Sequence, residues 1–133
     1  MGAVGLNPSY LLDTHAAIWL LEGNANLGTN ARTLLDAQDL VAISDITLLE
    51  IAMLAARGVI TLKPDVNIGL QTFADKLVVL PITARIAKNA TTIALPHRDP
   101  FDRVIAATAI AHDLVLVTND RQIVDSNVVS TVW

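Results

Sequence analysis

The sequence predicts an α/β fold of three layers, α/β/α, around a central parallel sheet of about four to five strands. Three observations lead there. Short apolar runs at residues 10–13 (YLLD), 40–44 (LVAIS), 77–82 (LVVLPI) and 114–118 (LVLVT) alternate with longer helical stretches. These runs are almost continuously apolar, the pattern of strands covered on both faces. The chain has 133 residues, enough for one domain with a substantial core and too few for two.

Each element has its own local reason. Residues 10–13 form the first strand and end in an acid. Residues 14–21 read as a helix closed at Glu22-Gly23-Asn24, and 30–38 as a second helix. After the strand at 40–44, Asp45 is placed to cap a helix over 46–57, with Gly58 placed to end it. Pro64-Asp65 opens a weaker helix to about Lys76. The strand at 77–82 contains Pro81, which puts its end at an edge or a terminus. Thr83 caps a helix to about Ala94. Asp99-Pro100 starts a strong helix to His112, with Pro at the first helical position. Residues 114–118 are the clearest buried strand, and 128–132 supply a last one. Residues 1–9 read as a flexible extension and 10–133 as the single domain.

Composition excludes several classes. Hydrophobic residues are 53% and charged ones 17%, too apolar for a disordered chain and apolar enough to expect a partner surface. No apolar run reaches the roughly 18 residues of a membrane span. There are no cysteines, so disulfides and thiolate metal sites are excluded, and a reducing, cytoplasmic setting is expected. A net charge of -4 argues against nucleic-acid binding by bulk positive charge. It leaves room for an enzyme whose acids are neutralised by cations.

Ligands of parallel sheets gather beyond the carboxyl ends of the strands. Four acids lie there: Asp13 at the end of the first strand, Glu50 in the helix after 40–44, Asp102 in the helix before 114–118, and Asp120 just beyond it. Three of them also have ordinary readings. Asp13 suits a helix cap, Asp102 with Asp99 suits a first turn, and Asp120 suits a turn. Glu50 is harder to explain structurally. Its helical neighbours are Ile46, Thr47, Met53 and Leu54, and no lysine or arginine follows before Arg57. An unpaired carboxylate on such a face carries a desolvation cost that a cation or a basic partner would relieve. Taken together, the four suit Mg²⁺ or Mn²⁺, hard ions that prefer oxygen ligands. Such an ion can acidify a water, orient it toward phosphorus and stabilise the leaving oxygen. That is phosphodiester hydrolysis.

At these residues the sequence resembles the PIN-domain family, and more narrowly the VapC-type toxins of toxin–antitoxin pairs. The matching stretches are Tyr10-Leu11-Leu12-Asp13-Thr14-His15 and Ser44-Asp45-Ile46-Thr47-Leu48-Leu49-Glu50-Ile51-Ala52. They continue with His97-Arg98-Asp99-Pro100-Phe101-Asp102-Arg103-Val104-Ile105-Ala106-Ala107 and Leu116-Val117-Thr118-Asn119-Asp120. The resemblance implies a PIN-like fold in which Asp13, Glu50, Asp102 and Asp120 bind Mg²⁺ or Mn²⁺ and are catalytic. It implies Thr118, and similarly Thr14, as hydroxyls behind the metal, with a minor role for Asp99; Asp125 competes with Asp120 for the fourth place. It further implies an endoribonuclease acting on RNA, a homodimer and a cognate VapB-type antitoxin.

Arg98, Arg103 and Arg121 flank the acids and are candidates to hold RNA phosphates, or else balance the acids or meet the antitoxin. His97 reads as a loop hydrogen-bonding residue, with a ligand or general-acid role as the alternative. His15 and His112 have no metal-ligand spacing with it, and Trp19 reads as core or interface rather than a base-stacking platform. The alternative function is a PIN-like module that binds RNA or protein without cutting. A phosphoacceptor receiver domain would need a late lysine, and none follows Lys88. A haloacid-dehalogenase-type phosphatase would need an aspartate where His15 stands.

Overall fold

The structure is a computed structural model and describes residues 7–96 and 98–133. Along the chain run β1 (Tyr10–Leu12), α1 (Thr14–Glu22), α2 (Thr29–Asp36), β2 (Ala42–Ser44), α3 (Asp45–Ala56) and α4 (Val66–Asp75). Then follow β3 (Val78–Leu80), α5 (Ala84–Ala90), α6 (Pro100–Ala111), β4 (Val115–Val117), α7 (Arg121–Ser126) and β5 (Thr131–Val132). All neighbouring strands are parallel, in the order β3-β2-β1-β4-β5. β1 is therefore central, which is why Leu11 and Leu12 are both fully buried.

Alternation along the strands divides the core. Leu12, Ile43 and Val117 face one side and pack with Ala16, Ala17, Ala31, Leu35, Ile51 and Phe73 from α1 to α4. Leu11, Ala42 and Leu116 face the other and pack with Ile105, Ala106, Ala109 and Ile123 from α6 and α7. The alanines let α6 lie close on the sheet, and α5 covers α6 through Ile86, Ala90, Val104 and Ala107. The expected three-layer architecture is present, with β3, which leads into Pro81, at an edge.

Four local details differ from the sequence reading. Ser44, not Asp45, caps α3: its hydroxyl accepts from the Ile46 amide at 3.2 Å, and Asp45 is the first helical residue. α5 ends at Ala90 rather than near Ala94. The helix α7, capped by Asp120, was not expected. Ser9 lies within the expected extension, yet its carbonyl accepts from the Val115 amide at 3.0 Å, so the chain already borders the sheet there. Gly23 and Gly58 do end their helices, with φ of 66° and 74°.

Candidate metal centre

The carboxyl ends of β1, β2 and β4 open on a cleft of about 380 Å³. Asp13, Glu50, Asp99, Asp102 and Asp120 line it, so the topology brings together all four sequence-predicted acids and adds Asp99. His15, Trp19, Asn119 and Trp133 complete most of the wall. No lysine or arginine is among these lining residues.

Each acid is placed by a specific local device. Asp13 follows β1 directly and caps α1, its Oδ1 accepting from the Ala16 amide at 2.8 Å. It is 7% exposed. Burial pushes its carboxyl above the usual carboxylate range, against hydrogen bonds from Thr118 and Ala16 and the nearby His15; Asp120 adds to the rise. Asp120 caps α7 through the Gln122 and Ile123 amides. Thr118, fully buried between them, bonds to Asp13 and accepts from the Asp120 amide at 3.1 Å. One hydroxyl thus joins two acids from the ends of adjacent strand connections.

Glu50 projects from the second turn of α3. Its Oε1 is buried and has no hydrogen-bond partner among the described residues. Such a group costs about 1–3 kcal/mol or more if nothing satisfies it. Thr47, one turn earlier on the same face, meets Thr14 with hydroxyl oxygens 3.3 Å apart in a buried contact. That contact ties α3 to α1 and therefore Glu50 to Asp13. The sequence reading missed Thr47 as a positioning residue, although its three-residue spacing from Glu50 was the available signal.

Asp99 caps α6 through the Phe101 amide at 2.9 Å, and Asp102 sits in that helix's first turn. Arg103 corrects an expectation. Its Nε donates to Ala90 O at 2.6 Å, Nη1 to Leu95 O at 2.9 Å and Nη2 to Ile93 O at 2.9 Å. The guanidinium thus binds the end of α5 and the loop between α5 and α6, so these donors are engaged within the chain. Arg98 and Arg121 are exposed. Arg121 pairs with Asp125 at 3.4 Å along α7, and neither lines the cleft. His97 lies outside the described residues.

The donor set suits a hard divalent ion. Only oxygens and one exposed imidazole are on offer, the acids need countercharge, and Glu50 Oε1 needs a partner. Among the described residues, no three of these groups are drawn close enough to grip an ion as they stand.

An all-parallel five-stranded sheet with acids clustered at its carboxyl edge defines a nuclease-like class of α/β protein. Residues 10–128 match the PIN domain, and the chain belongs to that family. It is 38% identical over 116 residues to Ribonuclease VapC22 of Mycobacterium tuberculosis (strain ATCC 25618 / H37Rv), across 85% of this chain and 88% of that one. Among solved structures, it resembles DNA-bound VapBC from Salmonella typhimurium with a TM-score of 0.72 at 24% identity, over 95% of this chain and 98% of that one. It resembles a toxin–antitoxin complex from Klebsiella pneumoniae with a TM-score of 0.69 at 24% identity, over 94% and 97%. At those identities the structural likeness speaks for the fold.

Proposed function

We propose that the protein is an endoribonuclease using Mg²⁺ or Mn²⁺, and the toxin of a toxin–antitoxin pair with a VapB-type antitoxin. The observation that carries this reading is Glu50 Oε1, buried and without a partner among the described residues, on the wall of a cleft lined by four further acids. Descent shared with Ribonuclease VapC22 supports the choice of RNA as substrate.

Asp13, Glu50, Asp102 and Asp120 would hold the ion, with Asp99 assisting at the first turn of α6. When bound, the ion supplies countercharge, a more acidic water and stabilisation of the leaving oxygen. The chain supplies the positioning. Thr118 spaces Asp13 from Asp120, the Thr14–Thr47 contact spaces Asp13 from Glu50, and three helix caps fix the carboxylates at Asp13, Asp99 and Asp120. Burial disfavours the ionised form of Asp13, and a bound cation would offset that desolvation. Arg98 and Arg121 each adjoin a cleft acid in sequence and are exposed, which suits phosphate contacts outside the cleft.

Leu49 and Met53 on α3, with Val66 and Ile68 on α4, are exposed large apolar side chains. They support a protein partner or a second copy of the chain. No helix among the described residues is long and apolar enough to cross a membrane, and a cytoplasmic setting belongs to the same proposal. The test is cleavage of RNA by chelator-treated protein with Mg²⁺ or Mn²⁺ restored. Cleavage is expected to depend on the metal and to vanish in Asp13→Asn and Asp102→Asn while the fold is retained. Metal-independent cleavage, or full activity in those variants, contradicts the reading.

A further inference from the structure

The acids share the cleft with an aromatic wall, whose two tryptophans also pack half-buried against the core. Trp19 and Trp133 meet edge to face with ring centroids 5.6 Å apart, and the His15 ring lies 5.7 Å from Trp19. The chain has only two tryptophans in all, and both line this cleft beside the carboxylates.

The wall is held in place. Trp19 rides on α1, the helix that Asp13 caps, about 9 Å further along at 1.5 Å per residue. Trp133 is seated against Gly28 at the cap of α2. A Cβ there would stand 2.6 Å from Trp133 Cδ1 and 2.8 Å from its Nε1, so only glycine admits the indole. Gly28 has an ordinary φ of -58°, so space and not backbone freedom calls for glycine.

The lining residues also lack a lysine or arginine. Inside the cleft a polyanion is drawn mainly by bound cations, so a grip on its bases there calls for non-ionic contacts. Flat rings beside a metal-binding wall provide it, because stacking on an aromatic face is available to every base.

Building on the nuclease reading above, and going beyond the sequence reading of Trp19 as core or interface, we propose that the exposed parts of Trp19 and Trp133 form a stacking subsite for the nucleobase next to the scissile phosphate. The subsite favours single-stranded RNA, whose bases can splay outward, over duplex RNA, whose bases stack on each other. It is tolerant of base identity, since the rings present faces and few hydrogen-bonding groups.

The two tryptophans make their own reporter. Tryptophan emission of the full chain is followed while a short single-stranded oligoribonucleotide is added with Ca²⁺, and cleavage of the same RNA is followed with Mn²⁺. One abasic position is then moved along the RNA. Emission is expected to change on binding, and one abasic position beside the cut bond should weaken binding about 5- to 150-fold, the effect of one stacked base. Trp133→Ala should weaken the intact RNA similarly and erase the effect of that abasic position. Trp133→Phe should recover part of it, which separates lost stacking from lost folding.

A flat abasic scan with undiminished cleavage overturns the subsite and leaves the nuclease reading intact. An emission change caused by an antitoxin-type protein partner, with none caused by RNA that the protein still cuts, also overturns it. Failure to bind or cut any RNA with metal present overturns both.

Discussion

Replacing Arg103 by alanine separates a loop-holding guanidinium from a phosphate-binding one. Three of its five N–H groups reach the carbonyls of Ala90, Ile93 and Leu95 at 2.6–2.9 Å. At about 1.5–3 kcal/mol for each hydrogen bond to a charged group, a simple sum gives roughly 4.5–9 kcal/mol. That sum is an upper bound, because the bonds share one tether, the site is half-buried and the carbonyls regain water. A loss of about 3–5 kcal/mol is expected. For a domain of this size it lowers Tm by roughly 10–18 °C, and urea unfolding shows a lower midpoint at constant slope. Arg103→Lys restores one donor direction and should recover about a third of the loss. Because the loop leads to Asp99 and Asp102, RNA cleavage should fall even below the melting range. The salt dependence of RNA binding should stay unchanged. Loss of under about 1 kcal/mol, together with a salt slope reduced by about 1, would show Arg103 on a phosphate instead.

Two further outcomes are expected at the acids. In metal-free protein, Asp13→Asn should raise Tm at neutral pH, since asparagine also caps helices and removes a buried charge. Burial raises the folded pKa of Asp13, so the folded state binds more protons than the unfolded one and wild-type stability falls as pH rises through that interval. The gain should therefore vanish below the ordinary aspartate pKa of about 3.9, and a variant that melts no higher at pH 7 contradicts the burial account. At the fourth acid, Asp120→Asn keeps its cap but should reduce cleavage at least about 100-fold, beyond the range typical of outer-shell partners. Asp125→Asn, which loses only an exposed pair with Arg121, should leave activity unchanged and stability within about 0.5 kcal/mol. The reverse result would exchange their roles.

The sheet was legible in the sequence because parallel strands buried on both faces leave unbroken apolar runs, and four of the five runs need no tertiary information. The acids were legible by position, since each lies near a strand's carboxyl end. Glu50 stood out further because its helical neighbours are largely apolar, and its Oε1 is buried without a partner among the described residues. What escaped depends on contacts distant in sequence. α7 has six residues, too short for a periodic signal, and the aspartate that caps it also reads as a turn. At the early end of α5 the Ala90 carbonyl is met by Arg103, thirteen residues further on. Thr47 shows its role only once α1 lies against α3. Trp133 meets Gly28 and Trp19, more than 100 residues earlier, and no local pattern announces that wall.

The central claim, that four acids hold a catalytic divalent ion, is tested most directly by anomalous diffraction from crystals soaked in Mn²⁺. The expected result is a peak in the cleft at about 2.0–2.2 Å from oxygens of at least two of Asp13, Glu50, Asp102 and Asp120, with Glu50 Oε1 ligated directly or through a water. Crystals that show no peak in the cleft, at Mn²⁺ concentrations where the protein cuts RNA in solution, would contradict it.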